Sequence, residues 1–356
     1  MLNERRLRAP RAAGRTAGAY ELIRKIGEGG MGEVWAARHR LLQRRSAAVK
    51  LMRRRFRYRV GDSGARRAHA SFLREVDAIS ALRSPHTVEL YDFGVTDDDC
   101  YYYVMEQLDG LDLEGLTRRH GPLPAERVIY LMQQICSSLA EAHRRGLVHG
   151  DVKPANLFAC CLGESYDFVK VLDFGLVKWD GRLDPGEEIT LDDMVPGTPA
   201  YMPPEMAMGA RLADGRSDIY ALGCVGYFLL TATTVFPAAS PVGTIVEHVR
   251  KTPEPPSSRT AMPIPAALDR IILTCLEKEA EDRFQAAENL AAALASVRFR
   301  DPWDNRRAAD WWHRNEPEIA GPAERIALTT ERSRHCSPCA APIRLSSWNL
   351  RARRRA

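Results

Sequence analysis

The sequence predicts an α+β fold in two lobes, a smaller β-rich part followed by a larger helical one. Residues 20–52 and 87–107 are rich in β-branched and aromatic residues interrupted by Gly and Asp, which is typical of strands joined by turns. Between them, apolar residues from Phe72 to Leu82 recur at helical spacing and predict one amphipathic helix. Helical patterns prevail beyond residue 122. Because the strands precede the helices and do not alternate with them, the pattern favours the α+β class.

Two helices of the second part are predicted most clearly. Apolar residues step by threes and fours from Val128 to Ala142 after Pro124, a residue that can open a helix. The segment 218–232 is apolar almost all round, which predicts a helix buried on every side with Asp218 at its N-terminus.

Composition and charge argue against several classes of protein. No run of about 18 apolar residues occurs, so we expect no membrane span. Eight cysteines in 356 residues do not suggest a disulfide framework, and we expect a reducing, cytoplasmic location. The net charge of +5 is concentrated in arginine-rich ends around a slightly acidic body, which argues against a nucleic-acid-binding core.

These features predict one catalytic unit with two basic appendages. Residues 1–19 are expected to be a disordered tail, and residues 20–297 the catalytic domain, with an N-lobe at 20–107 and a C-lobe at 108–297. Residues 298–356 are expected to be a largely disordered extension, in which Trp311 and Trp312 pack against the large lobe. Cys336 and Cys339 lack a second cysteine pair and do not indicate a zinc site.

A glycine-rich segment opens the catalytic unit. Residues 26–34 read IGEGGMGEV, in which Gly27, Gly29 and Gly32 form the pattern G-x-G-x-x-G. Glycines let backbone N–H groups approach nucleotide phosphates, and a dinucleotide-binding fold uses the same spacing before a helix. Here the following EVWAARH continues as a strand, which favours a hairpin that covers phosphates.

A lysine on the next strand also indicates a nucleotide ligand. Lys50 ends the apolar segment AAVK, and a lysine there is costly unless its ammonium meets an anion. Nucleotide phosphates and the carboxylate of Glu75, on the amphipathic helix, supply such anions. The alternative is a lysine that reaches the sheet edge and an ordinary surface glutamate.

Two polar segments suit phosphoryl transfer. HGDVKPANLF at 149–158 supplies Asp151, Lys153 and Asn156, and the strand VKVLDFG supplies Asp173. Phosphoryl transfer needs metal ligands, positive charge near the moving phosphate and an acceptor for the hydroxyl proton. Asn156 and Asp173 are hard oxygen ligands suited to Mg²⁺. A polar turn and a strand-end aspartate explain either segment alone, but not both in this order.

Together these motifs resemble the eukaryotic-type protein kinase family, and IGEGGMGEVWAARH and HGDVKPANLF are most similar to its bacterial serine/threonine members. The resemblance runs from about Tyr20 to Val297. It implies a small, mostly β N-lobe with one key helix, a larger and mostly helical C-lobe, and transfer of the γ-phosphoryl group of ATP to Ser/Thr hydroxyls of protein substrates. ATP and Mg²⁺ are the implied cofactors.

The resemblance also implies the role of each site residue. Asp151 is the catalytic base, Lys153 lies beside the γ-phosphate, and Lys50 pairs with Glu75. The catalytic residues are Asp151, Lys153, Lys50, Asn156 and Thr198, and the metal ligands are Asn156 and Asp173. The nucleotide-binding residues are Ile26, Gly27, Glu28, Gly29, Gly30, Met31, Gly32, Val34, Ala48, Lys50, Glu75, Met105, Glu106, Leu108 and Phe158. Structural roles fall to Asp218, which braces the catalytic loop, and to Glu205 and Arg283, which form a buried ion pair.

Two other readings use the same ATP site. One is a nucleotide-binding pseudokinase that acts as a scaffold. Five residues of the kinase site argue against it by their presence, namely Lys50, Glu75, Asp151, Asn156 and Asp173. The other is a kinase of small molecules, whereas GTPAYMPPE and Arg283 favour a protein acceptor. We expect a monomer or a weak homodimer that does not bind nucleic acid.

One departure from the family pattern bears on regulation. The family usually has His-Arg-Asp where this chain has His149-Gly150-Asp151. That arginine pairs with a phosphate on the activation loop, so its absence predicts activity without loop phosphorylation. We therefore expect Thr190→Ala to leave the transferase activity of the purified protein unchanged within experimental error. A well-folded Thr190→Ala protein without activity would contradict this hypothesis.

Overall fold

The computed structural model of the chain describes residues 15–29, 32–42, 45–52, 76–97, 100–174, 198–209 and 214–321. Within these residues, no helix combines the length and the apolar character that crossing a membrane requires.

The N-lobe is built on a six-stranded antiparallel sheet in the order β1-β2-β3-β4-β6-β5. Residues 76–80 form a helical segment beside it, and Val76 and Ile79 are buried there. Side chains alternate between the two faces, so Tyr101, Tyr103 and Met105 join a core shared with the C-lobe, whereas Tyr102 and Val104 join a second core. The strands are β1 Thr16–Ala17, β2 Tyr20–Gly29, β3 Gly32–His39, β4 Ser46–Met52, β5 Leu90–Val95 and β6 Tyr101–Met105.

The C-lobe is mostly helical and also contains a small three-stranded sheet, β7-β8-β9. Its strands are β7 Gly110–Asp112, β8 Leu157–Leu162 and β9 Ser165–Val171. Its helices are α1 Leu113–His120, α2 Ala125–Arg144, α3 Pro204–Ala207, α4 Gly215–Thr231, α5 Pro241–Arg250, α6 Ala266–Cys275 and α7 Ala287–Ser296, followed by α8 Asn305–Asn315 and α9 Pro317–Ala320. The predicted α+β fold, with strands in the first lobe and helices in the second, is confirmed.

Helix α4 is buried from Ser217 to Thr231, as its uniformly apolar sequence predicts. It begins one turn earlier than expected, because the side chain of Asp214 caps it by accepting from the backbone N–H of Arg216. Asp218 therefore lies in the first turn and not at the N-cap, and its carboxylate is 1% exposed. This position lets the Asp218 carboxylate bind the loop that contains His149 and Gly150.

The hairpin of β8 and β9 brings two predicted metal ligands together. Asn156 directly precedes β8 and Asp173 lies two residues after β9. Leu157 pairs with Val171, and the backbone N–H of Leu172 donates to the carbonyl of Asn156 at 2.9 Å. The antiparallel register therefore fixes both residues at one end of the hairpin.

A buried cluster of charge and indole rings holds the chain beyond α7 to the C-lobe. Arg127 on α2 and Asp167 on β9 are both fully buried and form two hydrogen bonds of 2.8 and 2.7 Å. The indole N–H groups of Trp303 and Trp312 donate to the same carboxylate at 2.9 and 2.7 Å. The Arg127 guanidinium lies 3.8 Å from the ring centre of Trp311. We name these five residues the tryptophan clasp.

The clasp shows that part of the extension predicted at residues 298–356 is folded. Its first part is folded as α8 and α9, and Trp311 and Trp312 pack against the large lobe as expected. Residues 322–356, with Cys336 and Cys339, lie outside the described residues. The folded domain thus continues past residue 297, to Ala320.

The clasp yields a test of stability. Trp312→Phe keeps an aromatic ring and removes the N–H that donates to the buried Asp167 carboxylate, and we expect it to lower the free energy of unfolding by about 2 kcal/mol. Urea unfolding followed by circular dichroism measures the loss. Trp311→Phe is the matched control, because it keeps a ring for the Arg127 guanidinium to stack on. Equal losses in the two variants would contradict a specific role for the hydrogen bond.

Candidate active site

Strand register gathers the predicted nucleotide residues of the N-lobe on one face of the sheet. Val34 pairs with Lys50, and Ala48 pairs with Met105. Directly paired residues of antiparallel strands share a face, as do residues two apart on one strand. Ala48, Lys50 and Met105 are buried, and Val34 is half-buried. These side chains therefore form one mostly apolar surface, suited to the flat face of a purine.

The glycine-rich segment is the β2–β3 hairpin, and the strand predicted after it is confirmed as β3. Gly29 pairs with Gly32, and a Cβ added to Gly32 would lie 2.0 Å from the carbonyl oxygen of Leu51. Only glycine fits there. Ile26 and Glu28 are exposed on β2, and Gly27 pairs with Val34. The remaining predicted residues of the segment, Gly30 and Met31, lie outside the described residues.

The segment between the lobes is braced by an ion pair. Glu106 directly follows β6, and its carboxylate binds the Lys170 ammonium at 2.6 Å and accepts from the backbone N–H of Glu89 at 2.8 Å. The backbone N–H of Glu106 also donates to the carbonyl of Glu89 at 3.0 Å, so its side chain and its N–H are both engaged with protein. Leu108 and Phe158, also predicted to contact the nucleotide, are half-buried.

Lys50 and Asp173 meet across the lobes. The Lys50 ammonium lies 2.6 Å from Oδ2 of Asp173, and the Tyr103 hydroxyl donates to Oδ1 of the same carboxylate. Burial by itself raises the pKa of Asp173, but the charge of Lys50 and the two hydrogen bonds outweigh burial and hold that pKa below its usual value. Asp173 is therefore ionised at neutral pH. Glu75, the other predicted partner of Lys50, lies outside the described part of the chain.

The catalytic loop gathers Asp151, Lys153 and Asn156. Oδ2 of Asp151 accepts from the Lys153 ammonium at 2.6 Å and from Nδ2 of Asn156 at 3.0 Å. Nδ2 of Asn156 also donates to the backbone carbonyl of Asp151 at 2.8 Å. Because the amide nitrogen faces Asp151, the amide oxygen is turned away from it.

Asp218, on helix α4, holds the backbone of the catalytic loop. Its two carboxylate oxygens accept from the backbone N–H groups of His149 and Gly150, each at 2.8 Å, and one of them also contacts Nε2 of His143 at 2.8 Å. The imidazole of His149 bonds the carbonyl of Leu172 at 2.8 Å through Nε2. The predicted bracing role of Asp218 is confirmed, and His149 links the loop to the end of β9.

A pocket beside Asp151 suits an acceptor side chain. Thr198 and Asp151 both line it, with the apolar residues Val152, Tyr201, Met202 and Met206. Among the described residues, the Thr198 hydroxyl has no hydrogen bond to Asp151 or Lys153, the two partners that the resemblance implies. Glu205 accepts from the hydroxyl of Ser217, another residue that lines the pocket, at 2.6 Å, and it forms a two-bond ion pair with Arg283 at 2.9 and 2.8 Å, as predicted.

The donor set fits a hard divalent cation. Asn156 offers an amide oxygen and Asp173 an ionised carboxylate, and the hairpin register holds the two at one end of β8–β9. Mg²⁺ takes one or two such protein oxygens and keeps several waters.

Two residues of the site, Tyr103 and Lys170, were not predicted from the sequence. For Tyr103 a signal existed, because it lies two residues before Met105 and so shares its face.

The fold and site are those of a two-lobed protein with a mostly β N-lobe, a helical C-lobe and a candidate nucleotide site between them. A family model described as "Protein kinase domain" matches residues 20–294, which is most of the chain. The chain belongs to the protein kinase family.

Relatives named as serine/threonine kinases share much of the sequence. Serine/threonine-protein kinase pkn3 of Myxococcus xanthus is 38% identical over 279 residues, which are 78% of this chain and 50% of that protein. Serine/threonine-protein kinase PknB of Mycolicibacterium smegmatis is 35% identical over 315 residues, which are 88% of this chain and 48% of that protein. The predicted similarity to bacterial members is confirmed, and the chain spans about half the length of these relatives.

Solved structures give the same fold. The PknI kinase domain of Mycobacterium tuberculosis has a TM-score of 0.61 at 26% identity, over 80% of this chain and 97% of that one. Rad53 residues 1–466 in complex with AMP-PNP have a TM-score of 0.63 at 23% identity, over 78% of this chain and 66% of that one, which shows likeness of fold alone.

Gly150 yields a test of the catalytic loop. Its φ of +73° lies in the left-handed region, where a side chain adds about 1 kcal/mol of strain. We expect Gly150→Ala to lower the free energy of unfolding by about this amount in a denaturant titration. Gly115→Ala, in helix α1, is the control and should cause no loss, because alanine is the better helix former. A Gly150→Ala protein as stable as wild type would show that the loop does not require this conformation.

Proposed function

We propose that the chain is a serine/threonine protein kinase, which transfers the γ-phosphoryl group of ATP to Ser/Thr hydroxyls of protein substrates. The observation that supports it best is the convergence of Lys50 with Asp173 beside the loop that carries Asp151, Lys153 and Asn156. The names of the relatives support the choice of Ser/Thr acceptors.

Each residue then has a physical task. The β2–β3 hairpin covers the phosphates with backbone N–H groups, and Lys50 supplies positive charge to them. Asn156 and Asp173 would hold Mg²⁺, which when bound neutralises phosphate charge. The surface of Val34, Ala48 and Met105 receives the adenine ring.

Acceptor chemistry falls to the catalytic loop. Oδ2 of Asp151 already accepts from Lys153 and Asn156, so Oδ1 accepts the proton of the attacking hydroxyl, and the neighbouring pocket holds the acceptor side chain. Lys153, which lies 2.6 Å from Oδ2, offsets negative charge on the phosphate as the bond forms. Thr198 lines the pocket and shapes it for a short hydroxyl side chain.

We also propose the partners, the oligomeric state and the compartment of the chain. Its partners are protein substrates, and the chain acts as a monomer or a weak dimer in a reducing cytoplasm. The six cysteines of the described residues form no disulfide with one another, which supports a reducing compartment.

Removal of the base tests the proposal. We expect Asp151→Asn to lower kcat by at least about a hundredfold, because the amide does not accept the proton, while ATP affinity changes little. Transfer of label from γ-labelled ATP in Mg²⁺ to a mixed protein acceptor gives kcat, and phosphoamino-acid analysis identifies the labelled residue.

Three results would contradict the proposal. Label on tyrosine alone would replace the proposed acceptor class. Mg²⁺-dependent ATP binding without any transfer by the wild-type chain would favour a pseudokinase. Label confined to a small-molecule acceptor would favour a small-molecule kinase. Asp92→Asn, an exposed carboxylate on β5, is a control that should leave kcat unchanged.

A further inference from the structure

Tyr103 is a buried tyrosine that none of the roles above uses. It lies in the middle of β6 and is 1% exposed. Its register partner on β4 is Lys50, so both side chains project from the same face of the sheet. Both end on one group, the carboxylate of Asp173, with Tyr103 on Oδ1 and Lys50 on Oδ2.

The hydroxyl of Tyr103 has a single hydrogen atom, which it donates to Oδ1 of Asp173. Lys50, in contrast, has a second task, since its ammonium is also the expected partner of the nucleotide phosphates. The ammonium carries three N–H donors, so Lys50 can reach the phosphates while one donor stays on Oδ2 of Asp173.

Two donors on different oxygens fix the orientation of a carboxylate. A single donor leaves rotation about the bond between Cβ and Cγ of Asp173, whereas donors on both oxygens remove it. Each carboxylate oxygen has two lone pairs, so one on each oxygen stays available to a metal ion.

We propose that Tyr103 is a positioning residue that orients the Asp173 carboxylate for Mg²⁺ and thereby sets how strongly the metal strengthens nucleotide binding. This inference rests on the proposed function, in which Asp173 is a metal ligand. Donors to a ligating carboxylate from the surrounding protein commonly change metal affinity by about 10-fold to 100-fold.

The test compares nucleotide binding with and without metal. Calorimetry gives the dissociation constant of AMP-PNP in Mg²⁺ and in EDTA, and the ratio of the two is the gain due to the metal. We expect Tyr103→Phe, which removes one oxygen atom, to lower this ratio by about tenfold and to leave the EDTA value unchanged. In the transfer assay, the Mg²⁺ concentration for half-maximal rate should rise by a similar factor.

Two further variants separate positioning from a structural role. Tyr102→Phe removes a hydroxyl from the same strand on the opposite face, and it should leave the ratio unchanged. Tyr103→Met fills the site with an apolar side chain and should reproduce the reduced ratio, so it carries the test if Tyr103→Phe does not fold.

The outcomes distinguish this inference from the proposed function. An unchanged ratio in Tyr103→Phe, with a clear metal gain in wild type, overturns the inference and leaves the kinase function intact. Equal weakening in Mg²⁺ and in EDTA also overturns it, because that result indicates damage to the nucleotide surface. A wild-type chain whose AMP-PNP binding gains nothing from Mg²⁺ overturns both.

Discussion

The ion pair between Lys50 and Asp173 is the interaction on which the arrangement of the site depends. The two residues are 123 positions apart, and one belongs to the N-lobe sheet and the other follows the C-lobe hairpin. Burying both charges carries a desolvation penalty that their attraction offsets only with good geometry and further hydrogen bonds. The contact of 2.6 Å and the donor from Tyr103 supply both. Such a pair is weak evidence of stability, and its value here is that it fixes where the two lobes meet.

The rest of the site is arranged around that pair by backbone contacts. Asp218 on the buried helix α4 holds the N–H groups of His149 and Gly150, and His149 in turn holds the carbonyl next to Asp173. Since α4 packs on every side, it is the rigid reference for these bonds. The acidic groups of the site thus sit on elements whose positions are set by the core, which is the preorganisation that electrostatic catalysis requires.

Several features of the fold and the site were predictable because local sequence patterns signal them. The strand after the glycines, the buried helix α4 and the pairing of Glu205 with Arg283 are signalled by periodicity or by motifs of the family, and all three are confirmed. Other features lack a local signature. Asp167 reads as a polar position on a strand and Arg127 as the surface of an amphipathic helix, yet indoles from a distant segment bury both. The start of α4 was misplaced by one turn because Asp214 and Asp218 are both plausible caps, and only the backbone conformation distinguishes them.

The tryptophan clasp has a consequence for synthesis of the protein. Trp312 follows Asp167 by 145 residues, and a chain leaves the ribosome from its N-terminus. Arg127 and the β8–β9 hairpin therefore emerge well before the indoles that cover them. Until residue 312 is out, the charged pair stays open to water and the hairpin that bears Asn156 and Asp173 lacks its outer support. A nascent chain thus completes its N-lobe sheet early, and the hairpin that bears Asn156 and Asp173 gains its outer support only late in translation.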